Sequence, residues 1–322
     1  MKKNPLGTVI FTALLFFTFL FEGQSLHAQN RPRTVNISYV ESPFNLQIMV
    51  MKERRMLENA FAKLGVNVKW HTINTGSDQA NAMAAGSLDI ASVINSTSVI
   101  LANAAGNPVE IVSLVSRPRE TFALMAHPAG PRNIRELKGK TVAGPKGSVL
   151  HQMLIAALLR EGLKASDVRF IHMDLPEART ALLSKRVDAA LLAGSLIIRT
   201  EEAGMRTIIT ADGYITPLLF TAVRPAFAKN NPELLKIYLE VQREAYEWIA
   251  ANTAEAVAIG IRLHHISMED GMKLFRWSGI ARTMEAGDIT ALEADIEFLY
   301  QQKMIDRKIN PRQFILPSAF EK

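Results

Sequence analysis

From residue 34 onward, apolar residues fall into short runs separated by segments with helical spacing. Runs at 34–40, 66–72, 88–93 and 109–115 predict strands, and 43–64, Ser77 to Gly86 and 97–105 predict the helices between them. This alternation implies a mainly parallel sheet with helices on both faces. After Arg117-Pro118-Arg119 a strand at 121–126 and a Pro/Gly-rich turn open a second series, with strands at 140–143, 168–172, 187–192 and 205–210. Its helices open at Ser148, Pro176 and Ser195. The segment Gly213-Tyr214-Ile215-Thr216-Pro217 then leads into an apolar strand at 218–223, which is expected to cross back. Helical patterns at 232–251, 253–263, 267–275 and 289–302 complete the chain; they are expected to pad the first unit and to carry little chemistry. The expected organisation is therefore lobe one from 33–118 plus 222–322, lobe two from 119–221, and two hinge crossings.

Two stretches echo each other. MAAGSLDIASVINS from Met83 and LLSKRVDAALLAGS from Leu182 both read as a helix end, a turn, a strand opening on aspartate, then small polar residues. A single recurrence at such a distance suggests a duplicated lobe, because solenoid repeats recur at shorter periods and in more copies. Asp89 and Asp188 sit at strand beginnings, some 20 Å from the opposite strand ends at about 3.3 Å per residue. They are expected to bond turn amides.

At the start of the chain, Lys2 and Lys3 precede an apolar run at 9–21 that ends near Ser25-Leu26-His27-Ala28, so 1–28 reads as a cleaved signal peptide. Thirteen residues are too few to span a bilayer, which takes about 20. No cysteine occurs, so neither disulfides nor lipid attachment through a thiol is available. A free periplasmic protein is expected. Without residues 1–28 the chain has 35 basic and 30 acidic residues, interspersed as in Lys52-Glu53-Arg54-Arg55. No basic stripe interleaved with aromatics tracks a phosphate backbone, which argues against nucleic acid as a partner.

The loops that leave strands and open helices are the candidate chemistry: Ser42 to Asn45, Thr75-Gly76-Ser77, Asn95-Ser96-Thr97, Lys146-Gly147-Ser148-Val149 and Gly194-Ser195. Helix starts carry unpaired amides and positive partial charge, and open α/β sheets bind ligands at strand carboxyl ends. The candidate ligand-binding set is Ser42, Phe44, Asn45, Thr75, Gly76, Ser77, Asn95, Ser96, Thr97, Lys146, Gly147, Ser148, Val149, Ser195 and Tyr214, with Phe44 and Tyr214 as apolar walls. Arg119 is a further charged candidate at the crossing, and His151 lies one turn into its helix.

Catalytic motifs are wanting. Gly139-Lys140-Thr141 ends like a phosphate loop, but Ile134 stands where the leading glycine belongs, no GxSxG occurs, and no thiol is present. The histidines show no HExxH spacing. No catalysis, cofactor or metal is expected.

Several blocks taken together carry a resemblance: Thr75-Gly76-Ser77 followed by Ala82-Met83-Ala84-Ala85-Gly86-Ser87-Leu88-Asp89, then Ala104-Ala105-Gly106-Asn107-Pro108-Val109, Leu137-Lys138-Gly139-Lys140 before Gly147-Ser148, and Val187-Asp188-Ala189. Through them the chain resembles the substrate-binding proteins of ABC importers for aliphatic sulfonates, taurine and nitrate. The resemblance implies an α/β two-lobe periplasmic-binding-protein fold (type II, Venus flytrap) with mainly parallel central sheets. It also implies an inner-membrane permease and its ATPase as partners but does not fix the ligand; taken with the amide-rich loops it favours a small oxyanion such as an organosulfonate, taurine or nitrate, and a monomer is expected. A desulfinase similar to these proteins depends on cysteine, which this chain lacks. The plain Asn95-Ser96-Thr97-Ser98 loop keeps a neutral, aromatic or pyrimidine-like solute as the alternative, together with a biosynthetic enzyme or sensor on the same fold using His151 or His172.

Overall fold

The computed structural model describes residues 32–40 and 43–321, so the expected signal peptide and Ser42 lie outside the described residues. The strands are β1 (Thr34–Tyr39), β2 (Asn67–Thr72), β3 (Ile90–Asn95), β4 (Glu110–Ser116), β5 (Phe122–Ala126), β6 (Thr141–Gly144), β7 (Arg169–His172), β8 (Ala189–Ala193), β9 (Arg206–Thr210) and β10 (Leu219–Val223). The helices are α1 (Leu46–Glu53), α2 (Met56–Ala62), α3 (Gly76–Ala84), α4 (Ser96–Ala104), α5 (Val149–Arg160), α6 (Leu175–Leu183), α7 (Ser195–Glu202), α8 (Pro225–Asn230), α9 (Pro232–Ala251), α10 (Thr253–His264), α11 (Met268–Ser278) and α12 (Ala286–Gln301).

Two five-stranded sheets result, ordered β2-β1-β3-β10-β4 and β7-β6-β8-β5-β9. In each, one strand runs against the other four: β10 is antiparallel to both β3 and β4, and β5 to both β8 and β9. The chain passes between sheets after β4 and again after β9, so the reversed strands are the ones that meet the crossings. Each sheet with its helices forms one lobe of an α/β, two-lobe fold.

Local sequence explains the elements. In β8 every residue is buried, and strand alternation sends Ala189, Leu191 and Ala193 to one core face and Ala190 and Leu192 to the other. The echoed aspartates do equivalent work in the two lobes. Asp89, ahead of β3, accepts from the Asn36 amide at 2.9 Å and pairs with Arg224 at 2.6 Å, while Asp188, ahead of β8, accepts from the Thr141 amide at 2.8 Å. Each pins its strand to the parallel neighbour at the edge away from the helix starts.

Three departures from the sequence reading have physical causes. The helix expected over 43–64 is two, because Arg55 adopts φ 52°, a left-handed turn that ends α1 and redirects α2. The helix placed from Ser77 starts at Gly76 with Thr75 as its cap, and the one placed from Pro176 starts at Leu175 with Asp174 as its cap. Pro176 fits the first turn because its missing N–H has no partner to lose there.

Candidate functional site

Four helices begin where the two lobes face each other: α3 and α4 from one lobe, α5 and α6 from the other. A short polar side chain caps each. Thr75 accepts from the Asp78 amide at 3.2 Å, Asn95 from Ser98 at 2.9 Å, Ser148 from His151 at 3.4 Å and Asp174 from Glu177 at 2.9 Å. A cap satisfies only one of the first-turn amides. Those of Gly76, Val149, Leu150 and Leu175 find no acceptor among the described residues.

These starts surround a cavity of about 60 Å³ between the lobes. That is room for about four to six waters at roughly 10–15 Å³ each, so its guest is compact. Asn74, Thr75, Gly76, Gln79, Asn95, Ser148 and Asp174 supply its polar lining, while Val40, Pro43, Phe122, Leu175 and Leu219 are among its apolar walls. A Cβ on Gly76 would meet Ser98 Oγ at 2.5 Å and Asn95 Nδ2 at 2.8 Å, so only glycine lets the α3 start approach the α4 start this closely.

The candidate residues divide by where their side chains go. Thr75, Gly76, Asn95, Ser148 and Val149 line this cavity. Ser77 lies next to it, sharing a hydrogen bond of 3.2 Å with Thr75. Gly147 contributes a carbonyl that accepts from Ser98 Oγ across the lobes at 3.1 Å, and Lys146 is exposed. Phe44 is in the core, 5.5 Å from the His264 ring and against Gly260, and Asn45 donates to the Val40 carbonyl. Tyr214 sits at the return crossing beside the Arg160 guanidinium and helps line a separate space with Arg117 and Arg119. Thr97 and Ser195 bond across the lobes, and Ser96 bonds Asp295 within its own lobe.

Those three join two polar clusters that bridge the lobes. In the first, Thr97 Oγ1 donates to Gln152 Oε1 at 2.5 Å, Gln152 Nε2 donates to Asp295 Oδ1 at 2.5 Å, and Ser96 Oγ donates to Asp295 Oδ2 at 2.9 Å. All four side chains are buried, and burial pushes the Asp295 carboxyl up to about 6 although the Gln152 and Ser96 bonds oppose it. In the second, Ser195 Oγ shares a 2.8 Å hydrogen bond with His264 Nδ1, and Arg199 donates to the His264 carbonyl at the end of α10. Burial, with help from Arg199, lowers His264 to about 4, so its ring is neutral near pH 7. The α10 and α12 helices therefore do more than pad lobe one.

The profile of the NMT1/THI5-like family matches residues 59–256. The chain belongs to that family. A Bacillus subtilis (strain 168) protein named for binding aliphatic sulfonates is 28% identical over 98% of this chain and 95% of its own length. The taurine-binding periplasmic protein of Escherichia coli (strain K12) is 26% identical over 61% of this chain and 62% of its own. Among solved structures, the alkanesulfonate-binding protein SsuA of Xanthomonas axonopodis pv. citri bound to MOPS superposes with a TM-score of 0.78 at 19% identity, covering 89% of this chain and 99% of that one. The periplasmic aliphatic sulphonate binding protein SsuA of Escherichia coli gives 0.71 at 20% identity, with 91% and 94% covered. At these identities the structures speak for a shared periplasmic-binding-protein fold.

In this NMT1/THI5-like chain, sequence reasoning missed Asp174, Gln152 and Asp295. Asp174 obeys the rule used for the other loops, since it leaves a strand and opens a helix, but a start at Pro176 is one residue late and passes over the cap. Asp295 had a signal too. It falls between Leu292, Ile296 and Leu299 on the apolar stripe of α12, where a carboxylate needs a partner. Among the described residues, no helix is long and apolar enough to cross a membrane.

Proposed function

We propose that this protein is the periplasmic solute-binding component of an ABC importer and that it closes on a compact oxyanion of the organosulfonate class. The observation that carries this reading is the meeting of four helix starts, two from each lobe, at one small cavity. Free amides there are aimed at a guest that touches both lobes, so an anion is held best when the lobes are together. Four helix ends at roughly 0.3–1 kcal/mol each supply at most about 4 kcal/mol, whereas micromolar binding takes about 8. Hydrogen bonds from free amides and side chains such as Asn95, with burial against Phe122 and Leu219, supply the remainder. The names of the relatives, one for aliphatic sulfonates and one for taurine, support the same class. On this reading the chain is exported by residues 1–28, works as a monomer, catalyses nothing, and delivers its solute to a permease and ATPase.

One observation favours a second reading. No lysine, arginine or histidine side chain lines the cavity among the described residues, which suits a neutral solute.

A calorimetric titration with methanesulfonate, ethanesulfonate, taurine, nitrate and a neutral pyrimidine separates the two. The sulfonate reading expects binding confined to the oxyanions, and a hundredfold excess over Kd stabilises the fold by about 2.7 kcal/mol. Val149→Pro sharpens the test. Proline is tolerated at the first position of a helix, so the change deletes one amide donor while keeping α5. We expect unchanged melting and sulfonate affinity lowered about tenfold, as for one lost bond to a charged group. Binding of the pyrimidine alone, or unaltered affinity in Val149→Pro, overturns the proposal.

A further inference from the structure

The cations that the solute cavity lacks lie together in a second space between the lobes. This groove, of about 730 Å³, is walled by α1 and the end of α10 from lobe one and by α6 and α7 from lobe two. Lys52 stands on the first wall and Arg179 and Arg199 on the second, all three half-buried. Their contacts leave the charges uncompensated. The Lys52 ammonium sits over the Tyr39 ring, 3.8 Å from its centroid. Arg179 donates to Thr200 Oγ1 at 3.0 Å and to the Arg199 carbonyl at 3.1 Å, while Arg199 donates to the His264 carbonyl. None of the three pairs with a carboxylate among the described residues, and Glu53, the acidic side chain on the lining, is engaged by Arg262 at 3.1 Å. Burial lowers the Arg179 pKa from its ordinary value and the neighbouring Arg199 lowers it further, against an opposing pull from Glu202.

A second observation points the same way. His264 lines this groove and is only 9% exposed, yet with Nδ1 shared with Ser195 its Nε2 has no partner among the described residues. Buried polar groups are normally bonded. With the Ser195 hydroxyl donating to Nδ1, the neutral ring carries its proton on Nε2 and offers a donor to the same space as the three cations.

We infer that this groove is a second ligand site, separate from the solute cavity, which takes a multivalent oxyanion, a small polycarboxylate or polyphosphate, and clamps the lobes closed. Three cations call for a guest of more than one charge, and a cleft lined by one sign of charge concentrates such a guest. The volume lies within the roughly 300–1,000 Å³ of small-molecule pockets. A guest that touches Lys52 on one lobe and Arg179 on the other binds best when the lobes are together, so by linkage it raises the affinity for the solute. The inference goes beyond the sulfonate reading, and its direct binding test does not depend on it.

Citrate and pyrophosphate are the probes, since each has more non-hydrogen atoms than the 60 Å³ cavity has room for waters. Calorimetry at matched ionic strength is expected to show saturable binding of at least one of them, and the tighter of the two tells whether carboxylate or phosphate chemistry fills the groove. Lys52→Gln is expected to weaken that binding about tenfold and Lys52→Arg to retain it, with melting in the absence of anion unchanged in both. Saturating anion is expected to tighten ethanesulfonate binding about fivefold or more in the wild type and to leave Lys52→Gln unmoved. Absence of saturable binding by both probes, binding that Lys52→Gln leaves unaltered, or a wild-type ethanesulfonate affinity that the anion fails to move overturns the inference. Failure of ethanesulfonate to bind, while citrate or pyrophosphate binds through Lys52, removes the sulfonate reading and leaves the second site standing.

Discussion

Acid should strengthen the closed protein at one identifiable carboxyl. Asp295 is held at about 6 against an ordinary 3.8, mainly by burial, with Gln152 of the other lobe and Ser96 of its own lobe bonded to it. A carboxyl whose pKa is raised on folding contributes stability that is present in full below its unfolded value and is lost as pH rises through its folded value. The window is thus pH 4 to 6, and a shift of this size corresponds to on the order of 3 kcal/mol at about 1.4 per unit. His151 and His264 act oppositely. Both are lowered to about 4 from 6.5, chiefly by burial, so folding loses stability as pH falls from 6.5 towards 4. The wild-type profile alone therefore mixes the signs, and Asp295→Asn isolates one of them, because the histidine contributions cancel in the difference. Urea unfolding of both proteins from pH 4 to 7.5 is the assay. The stability of the wild type relative to the variant should rise by on the order of 3 kcal/mol as pH falls from 7 to 4, most steeply below 6. A difference that stays flat across this range refutes the argument that Asp295 is buried as a costly charge at neutral pH.

Two substitutions away from the cavity separate closure from folding. Gly194 has φ +57°, and a Cβ there would lie 2.9 Å from Pro43 Cα in the facing lobe. Gly194→Ala should cost about 1–2 kcal/mol of stability from the backbone alone and weaken solute binding by about tenfold or more, with a larger radius of gyration by X-ray scattering in saturating solute; unaltered affinity and size would count against the lobe contact. Asp89→Ala removes the partner of Arg224 and the acceptor for Asn36, so urea unfolding should show a loss of about 3–5 kcal/mol, while solute affinity at low temperature stays as in the wild type; a selective loss of affinity would show that Asp89 acts at the cleft after all.

Much of this molecule can be read along the chain because much of it is local. Strands such as β8 announce themselves as unbroken apolar runs, and the crossings are marked by Arg117-Pro118-Arg119 and by Gly213 to Pro217. The caps Asn95 and Ser148 stand immediately before their helices, as a local rule requires. What could not be read is what depends on the two lobes meeting. Nothing near Ser96 or Thr97 announces that their hydroxyls reach Asp295, 199 residues away, and Gln152 in the other lobe. Phe44 looks like a wall because its neighbours are loop residues, yet Gly260 on α10 leaves a space that its ring fills. The same distinction explains the chemistry. Helix starts that are visible one at a time are ordinary caps; they become a binding site only because four of them share one hollow, and the buried bonds of Gln152, Asp295, Ser195 and His264 that bring them there join residues far apart in sequence. Affinity in such a protein is set jointly by the contacts to the solute and by the bonds between lobes, since a ligand that touches both halves gains only what closure leaves to it. Variants of Gln152 and Asp295, neither of which lines the cavity, should therefore alter affinity for every solute by a common factor, whereas variants of Asn95, which does line it, should change the ranking among solutes.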